Sequence, residues 1–103
     1  MNEPIAEREF TNKDGTITLK IFAPMLEMID GNEDWTSEPE ITWPSGRVIR
    51  RKAHGVDSMQ ALLLNIAMAN NHIHFPVVGE RDKSLKYFDI EGTDLVVPQY
   101  QDD

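Results

Sequence analysis

The chain has 103 residues, 40% of them hydrophobic and 27% charged, with a formal net charge of −8. That balance belongs to one globular domain with a modest core and argues against global disorder. The acidic excess works against binding nucleic-acid phosphates, and the lack of cysteine removes disulfides, thiolate nucleophiles and cysteine metal sites.

Met1-Asn2-Glu3-Pro4 has neither a basic nor an apolar leader pattern, and no apolar run approaches membrane-spanning length. The expectation is a cytoplasmic protein with no membrane partner. Residues 5–11 and 16–23 read as paired strands around Asn12-Lys13-Asp14-Gly15, a type I turn closed by a left-handed glycine. Setting Thr11 against Thr16 places Phe10 against Ile17, Glu7 against Lys20 and Ala6 against Ile21. Phe10, Ile17, Leu19 and Ile21 then share the core face, with Arg8 the exception at a sheet margin.

Met25 to Ile29 form a short apolar patch before the turn-rich Asp30-Gly31-Asn32-Glu33-Asp34. Glu27, Asp30, Glu33, Asp34, Glu38 and Glu40 fall in a stretch without Lys or Arg, a candidate acidic partner-binding surface. Residues 35–43 and 47–54 read as a second hairpin around Pro44-Ser45-Gly46. Trp43 opposite Arg47 gives Ile41 beside Ile49 and the charge pairs Glu40–Arg50 and Glu38–Lys52, worth about 0.3 kcal/mol each. Pro39 cannot donate to a ladder, so this third strand is expected to be irregular or near an edge. Trp35 and Trp43 alternate onto one side, as core or sheet-cover residues. Arg47, Arg50, Arg51 and Lys52 point alternately to two faces and make no single basic surface.

Residues 58–71 carry the one strong helical pattern, with Asp57 as N-cap, Gln60 completing a capping box and Gly55 permitting a sharp approach. Met59, Leu62, Leu63, Ile66, Ala69 and Ile73 form the expected core stripe. Leu64 and Met68 lie off that stripe and need a cover, from the C-terminal segment or from a second copy of the chain. They are the candidate self-association interface. The helix is expected to end near Asn70-Asn71, before Pro76. Residues 76–98 read as irregular or short-strand structure, and 99–103 as an acidic tail.

No catalytic, cofactor-binding or metal-ligating set is assigned. His54 lies about 20 Å along the helix from His72 and His74, too far for one joint site. Ser58 reads as part of the cap, and no nucleophile elbow, phosphate loop or His-Glu-x-x-His helix is present. The fold class expected is α+β: a mostly antiparallel sheet of about four strands in two hairpins, with one helix across it.

Arg50-Arg51 followed by Gly55-Val56-Asp57-Ser58-Met59-Gln60-Ala61-Leu62-Leu63-Leu64 resembles a family of small uncharacterised bacterial proteins. In that family a basic strand leads through a Gly-Val-Asp turn into an Ala- and Leu-rich helix. The resemblance is weaker around Trp35 and Gly92-Thr93-Asp94-Leu95, and it does not extend to the acidic segment from Glu27 to Glu40. It implies a bacterial α+β domain of unknown function and assigns no catalytic residue. The functional expectation is therefore a non-enzymatic protein-interaction module that self-associates, or else an acidic immunity- or inhibitor-type protein capping a basic toxin or nuclease. An enzyme or metal protein built on the histidines ranks third.

Overall fold

The computed structural model describes residues 3–95. Its strands are β1 (Pro4–Asn12), β2 (Gly15–Phe22), β3 (Met25–Ile29), β4 (Asn32–Ser37), β5 (Pro39–Thr42), β6 (Val48–Arg50) and β7 (Ala53–Gly55). The helix α1 (Ser58–His74) follows, then β8 (Lys86–Tyr87) and β9 (Ile90–Glu91). The fold is α+β with antiparallel pairing, but the expected sheet of four strands is corrected to two sheets. Six strands lie in the order β6-β5-β2-β1-β8-β9, and three in the order β3-β4-β7.

The first hairpin has the register that alternation selects: Thr11 faces Thr16, Phe10 faces Ile17, Glu7 faces Lys20 and Ala6 faces Ile21. Asn12 Oδ1 accepts from the N–H groups of Asp14 and Gly15 at 2.9 and 3.1 Å, which holds the turn, and Gly15 takes a φ of +135°. The second hairpin keeps Glu40 opposite Arg50 and Ile41 opposite Ile49. Trp43 N–H donates to Arg47 O at 2.8 Å, as expected for that pair.

The long strands expected at 35–43 and 47–54 are each split, and both splits have one cause. The chain leaves the small sheet at Ser37 and joins the large one at Pro39. It returns between Arg50 and Ala53. Phe22 clamps the first crossing: its N–H donates to Glu38 O at 3.3 Å, and its carbonyl accepts from Ser37 Oγ at 3.3 Å. The Glu38–Lys52 pair is consequently not formed, since Lys52 turns to Glu27 instead. The small sheet also contains a strand not anticipated. Residues 25–29 pair with 32–36 around Asp30-Gly31, whose φ values of +49° and +80° suit a type I′ turn.

Phe10, Ile17, Leu19, Ile21 and Ile41 line the inner face of the large sheet and pack with Ala69, Ile73 and Leu85. Helix α1 starts where expected: Asp57 carboxylate accepts from Gln60 N–H at 2.7 Å. Gln60 Oε1 accepts from Val56 N–H at 2.8 Å, one residue before the cap that a capping box would serve. The helix runs three residues past Asn71, to His74, and ends before Pro76. Burial of Ile73 in the core outweighs the local preference of Asn for a C-cap.

Candidate functional site

Helix α1 lies in the angle between the two sheets. Leu62 and Ile66 pack on the core of the large sheet. Ala61 abuts Gly55 of β7 so closely that a Cβ on Gly55 would stand 2.4 Å from Ala61 N. One turn on, Asn65 donates to Ser37 Oγ of β4 at 2.7 Å. The buried stripe is therefore Ala61, Asn65, Ala69 and Ile73, rotated from the expected one. Met59 is 63% exposed and Leu63 lies at the surface.

Leu64 and Met68 are half-buried and stand beside Ala61 and Asn65 on the helix, the two residues that meet β7 and β4. The described part of the C-terminal segment, up to Leu95, meets the helix elsewhere, while the end of the 76–98 stretch and the expected acidic tail at 99–103 lie outside the described residues. Thr93 Oγ1 donates to Asn70 Oδ1, and Gly92 rests against His74, on the opposite flank of the helix. The helix residues next to Leu64 and Met68, Ala61 and Asn65, thus meet a second sheet that was not foreseen as a neighbour.

The six carboxylates of the acidic stretch do not form one open face. Lys52 Nζ holds Glu27 at 2.9 Å, Arg50 pairs with Glu40, and His54 Nδ1 donates to Asp34 Oδ2 at 2.8 Å. The bond from Lys52 keeps the Glu27 carboxyl below its usual range, and the same bond raises Lys52. Asp30, Glu33 and Glu38 form no ion pair among the described residues, although the charge of Glu38 also helps to raise Lys52. Across the outer face of the large sheet the register sets Arg50, Glu40, Lys20 and Glu7 in one row of alternating charge. That row borders a cleft of about 490 Å³ at the junction of the sheets, where Lys20, Arg50 and Lys52 face Glu27, Glu38 and Glu40. Like numbers of both signs leave the cleft without a preference for either, which argues against steering a strongly basic partner there.

The histidines remain apart. His54 is in β7, and His72 and His74 occupy the last turn of α1, where His74 Nδ1 donates to Asn70 O at 2.9 Å. Among the described residues no three His, Cys, Asp or Glu side chains are grouped to hold a metal. No helix among them is long and apolar enough to cross a membrane.

The feature that the sequence pattern did not bring out is the β3–β4 hairpin, which stands out as an arm. Met25, Leu26, Met28 and Ile29 are all exposed, Met28 by 67%. They occupy four of the five positions of an edge strand. The register puts Leu26, Trp35 and Gly55 in one row on the helix side, and Glu27 opposite Asp34 on the other face. The available signal was Asp30-Gly31 after an apolar run, the same kind of turn dipeptide that marks the first hairpin.

Neither the curated proteins nor the solved structures compared include a match to the chain. The family described as a domain of unknown function, DUF6968, matches residues 6–96, from the first strand to just beyond the segment docked on α1. With most of its length matched, the chain belongs to the DUF6968 family of domains of unknown function.

Proposed function

We propose that this domain is a non-enzymatic protein-interaction module whose docking element is the β3–β4 arm. The observation that carries the reading is β3 itself, an apolar strand at a sheet edge with most of its side chains in solvent. Edge strands of self-contained domains are blunted by charge, proline, bulges or a covering element. Among residues 25–29 the one charge is Glu27, already engaged by Lys52, and no proline or bulge interrupts the pairing with β4. Backbone groups free at such an edge bind an extended segment, and exposed side chains on alternate faces select it.

Site-specific photo-cross-linking in the native cell tests the reading. A photoreactive residue at position 28 is expected to give a discrete protein adduct. The same residue at Thr16, in the first hairpin, is expected to give none. Equal labelling from both positions, or none from position 28, removes the arm as a docking element.

A further inference from the structure

The arm's partner can be specified from its own geometry, and this step rests on the reading of the arm as a docking element. Ile29 and Asn32 flank the two-residue Asp30-Gly31 turn, so they form a hydrogen-bonded pair. Alternation then directs the backbone groups of Glu27 toward β4, and those of Leu26 and Met28 away from it. The outward N–H and C=O groups of Leu26 and Met28 are a matched set. Two β3 strands laid antiparallel about a twofold axis at Glu27 bring Leu26 of one opposite Met28 of the other, each pair exchanging both bonds.

We infer that the partner is a second copy of this chain, joined through β3 into one continuous sheet across the dimer. The side chains agree with the backbone. Leu26 and Met28 of both copies fall on one face and make a shared apolar patch over the twofold axis. The like-charged residue brought close in this register is Glu27, and Lys52 of its own chain neutralises it at 2.9 Å. An isologous interface needs a self-complementary patch, and β3 is one. The other margins of the sheets suit this role less. β6 and β7 are three residues long, β6 also carrying the exposed cation Arg50, and β9 is two residues long.

Two chains of net charge −8 repel, so this dimer is expected to tighten as salt rises. A basic partner protein would show the opposite salt dependence. A five-residue strand falls short of the roughly 800 Å² per partner of a standard interface, so weak association, on the order of micromolar, is expected.

The test is sedimentation velocity of the full chain from about 1 µM to about 1 mM, at low and high salt. The substitutions compared are Met28→Pro and Met68→Gln. Proline at 28 removes an outward N–H and leaves the β3–β4 bonds in place. Wild type and Met68→Gln are expected to move toward twice the monomer mass with concentration, more strongly at high salt. Met28→Pro is expected to weaken association at least about tenfold. Should the proline variant misfold, amide exchange in the unmodified chain decides instead: Leu26 and Met28 are expected to be slowed only at high concentration.

A wild type monomeric throughout overturns the inference. So does dimerisation unaffected by Met28→Pro, or lost instead in Met68→Gln. A photo-adduct from position 28 to a different protein, with a monomeric wild type, ends the second-copy inference and leaves the docking arm standing. An adduct within one chain, to residues 96–103, ends both.

Discussion

Asn65 Nδ2 donates to Ser37 Oγ at 2.7 Å, with both side chains buried, and Ser37 Oγ donates onward to the carbonyl of Phe22. This chain of bonds links α1, the small sheet and the large sheet at the point where the chain passes between them. Asn65 Oδ1 has no partner among the described residues, so the network is paired on one side only. Asn65→Ala is expected to cost about 1–3 kcal/mol, through the lost bond and the space left behind. By calorimetry that is a fall in Tm of about 4–8 °C per kcal/mol. Asn65→Leu is expected to cost less, because leucine fills the volume and leaves no unpaired acceptor of its own. A larger loss for leucine than for alanine would refute this reading of the orphaned oxygen.

Gly55 is needed for what it lacks. Its backbone is that of a β7 residue without positive φ, so the expected reason for glycine, freedom to make a sharp approach, does not apply. A Cβ there would meet Ala61 N at 2.4 Å, and that atom belongs to the first turns of α1. Gly55→Ala must push the helix off the small sheet, at an expected cost of about 3 kcal/mol or more. Urea denaturation measures it. A loss under about 1 kcal/mol would show that the helix start yields freely.

The parts of the fold legible in sequence are those where one local rule suffices. Strict alternation around Asp14-Gly15 specifies the first register to the residue, and Asp57 with Gln60 marks the helix start. What cannot be read are relations between layers. Pro39 signals irregularity, yet nothing local says that the chain changes sheets there. A helix stripe placed by hydrophobicity alone favours Met59 and Leu63 over Asn65, a polar residue made compatible with burial by Ser37. The acidic stretch looks open because its partners, Arg50, Lys52 and His54, come later in the chain and are brought to it by the return of the chain between the sheets. The arm escapes notice for the converse reason. Apolar residues are normally assigned to a core, and those of β3 stay outside it.

Asp82 ties the loop after α1 to the first hairpin. Its carboxylate accepts from Ser84 Oγ at 2.6 Å, Ser84 N–H at 3.0 Å and Asn12 Nδ2 at 3.1 Å. Partial burial pushes its acidity weaker, but the Ser84 and Asn12 donors, with Lys13 nearby, outweigh it and hold the group below the usual 3.8. A carboxyl depressed by folding contributes stability above its unfolded value and loses that contribution as pH falls through the folded one. Asp82→Ala is therefore expected to cost about 1 kcal/mol at neutral pH. The deficit should persist to about pH 5 and shrink below about pH 4. Urea midpoints of both proteins across that range measure the difference. A deficit that grows in acid would reverse the sign and refute the assignment.

Arg8 is the polar residue on the core-side face of β1, and its surroundings explain why it is tolerated. Its guanidinium lies 4.1 Å from the Tyr87 ring centroid and donates to the carbonyls of Thr93 and Asp94 at 3.2 and 3.1 Å. Tyr87 in turn meets Phe10 edge-on at 6.1 Å, so the cation closes the margin of the core. The same side chain fixes the segment that places Thr93 against Asn70 of the helix. Arg8→Ala is expected to cost about 1–2 kcal/mol, through lost stacking and two carbonyls left without their donor. Arg8→Lys should recover less than half of that, because a single ammonium cannot stack on the ring and reach both carbonyls. The effect should also be local. Hydrogen exchange is expected to quicken at residues 92–95 and at Asn70 while the β1–β2 ladder keeps its protection. Full rescue by lysine would mean that Arg8 supplies charge alone, and the geometry gives the planar group the larger share.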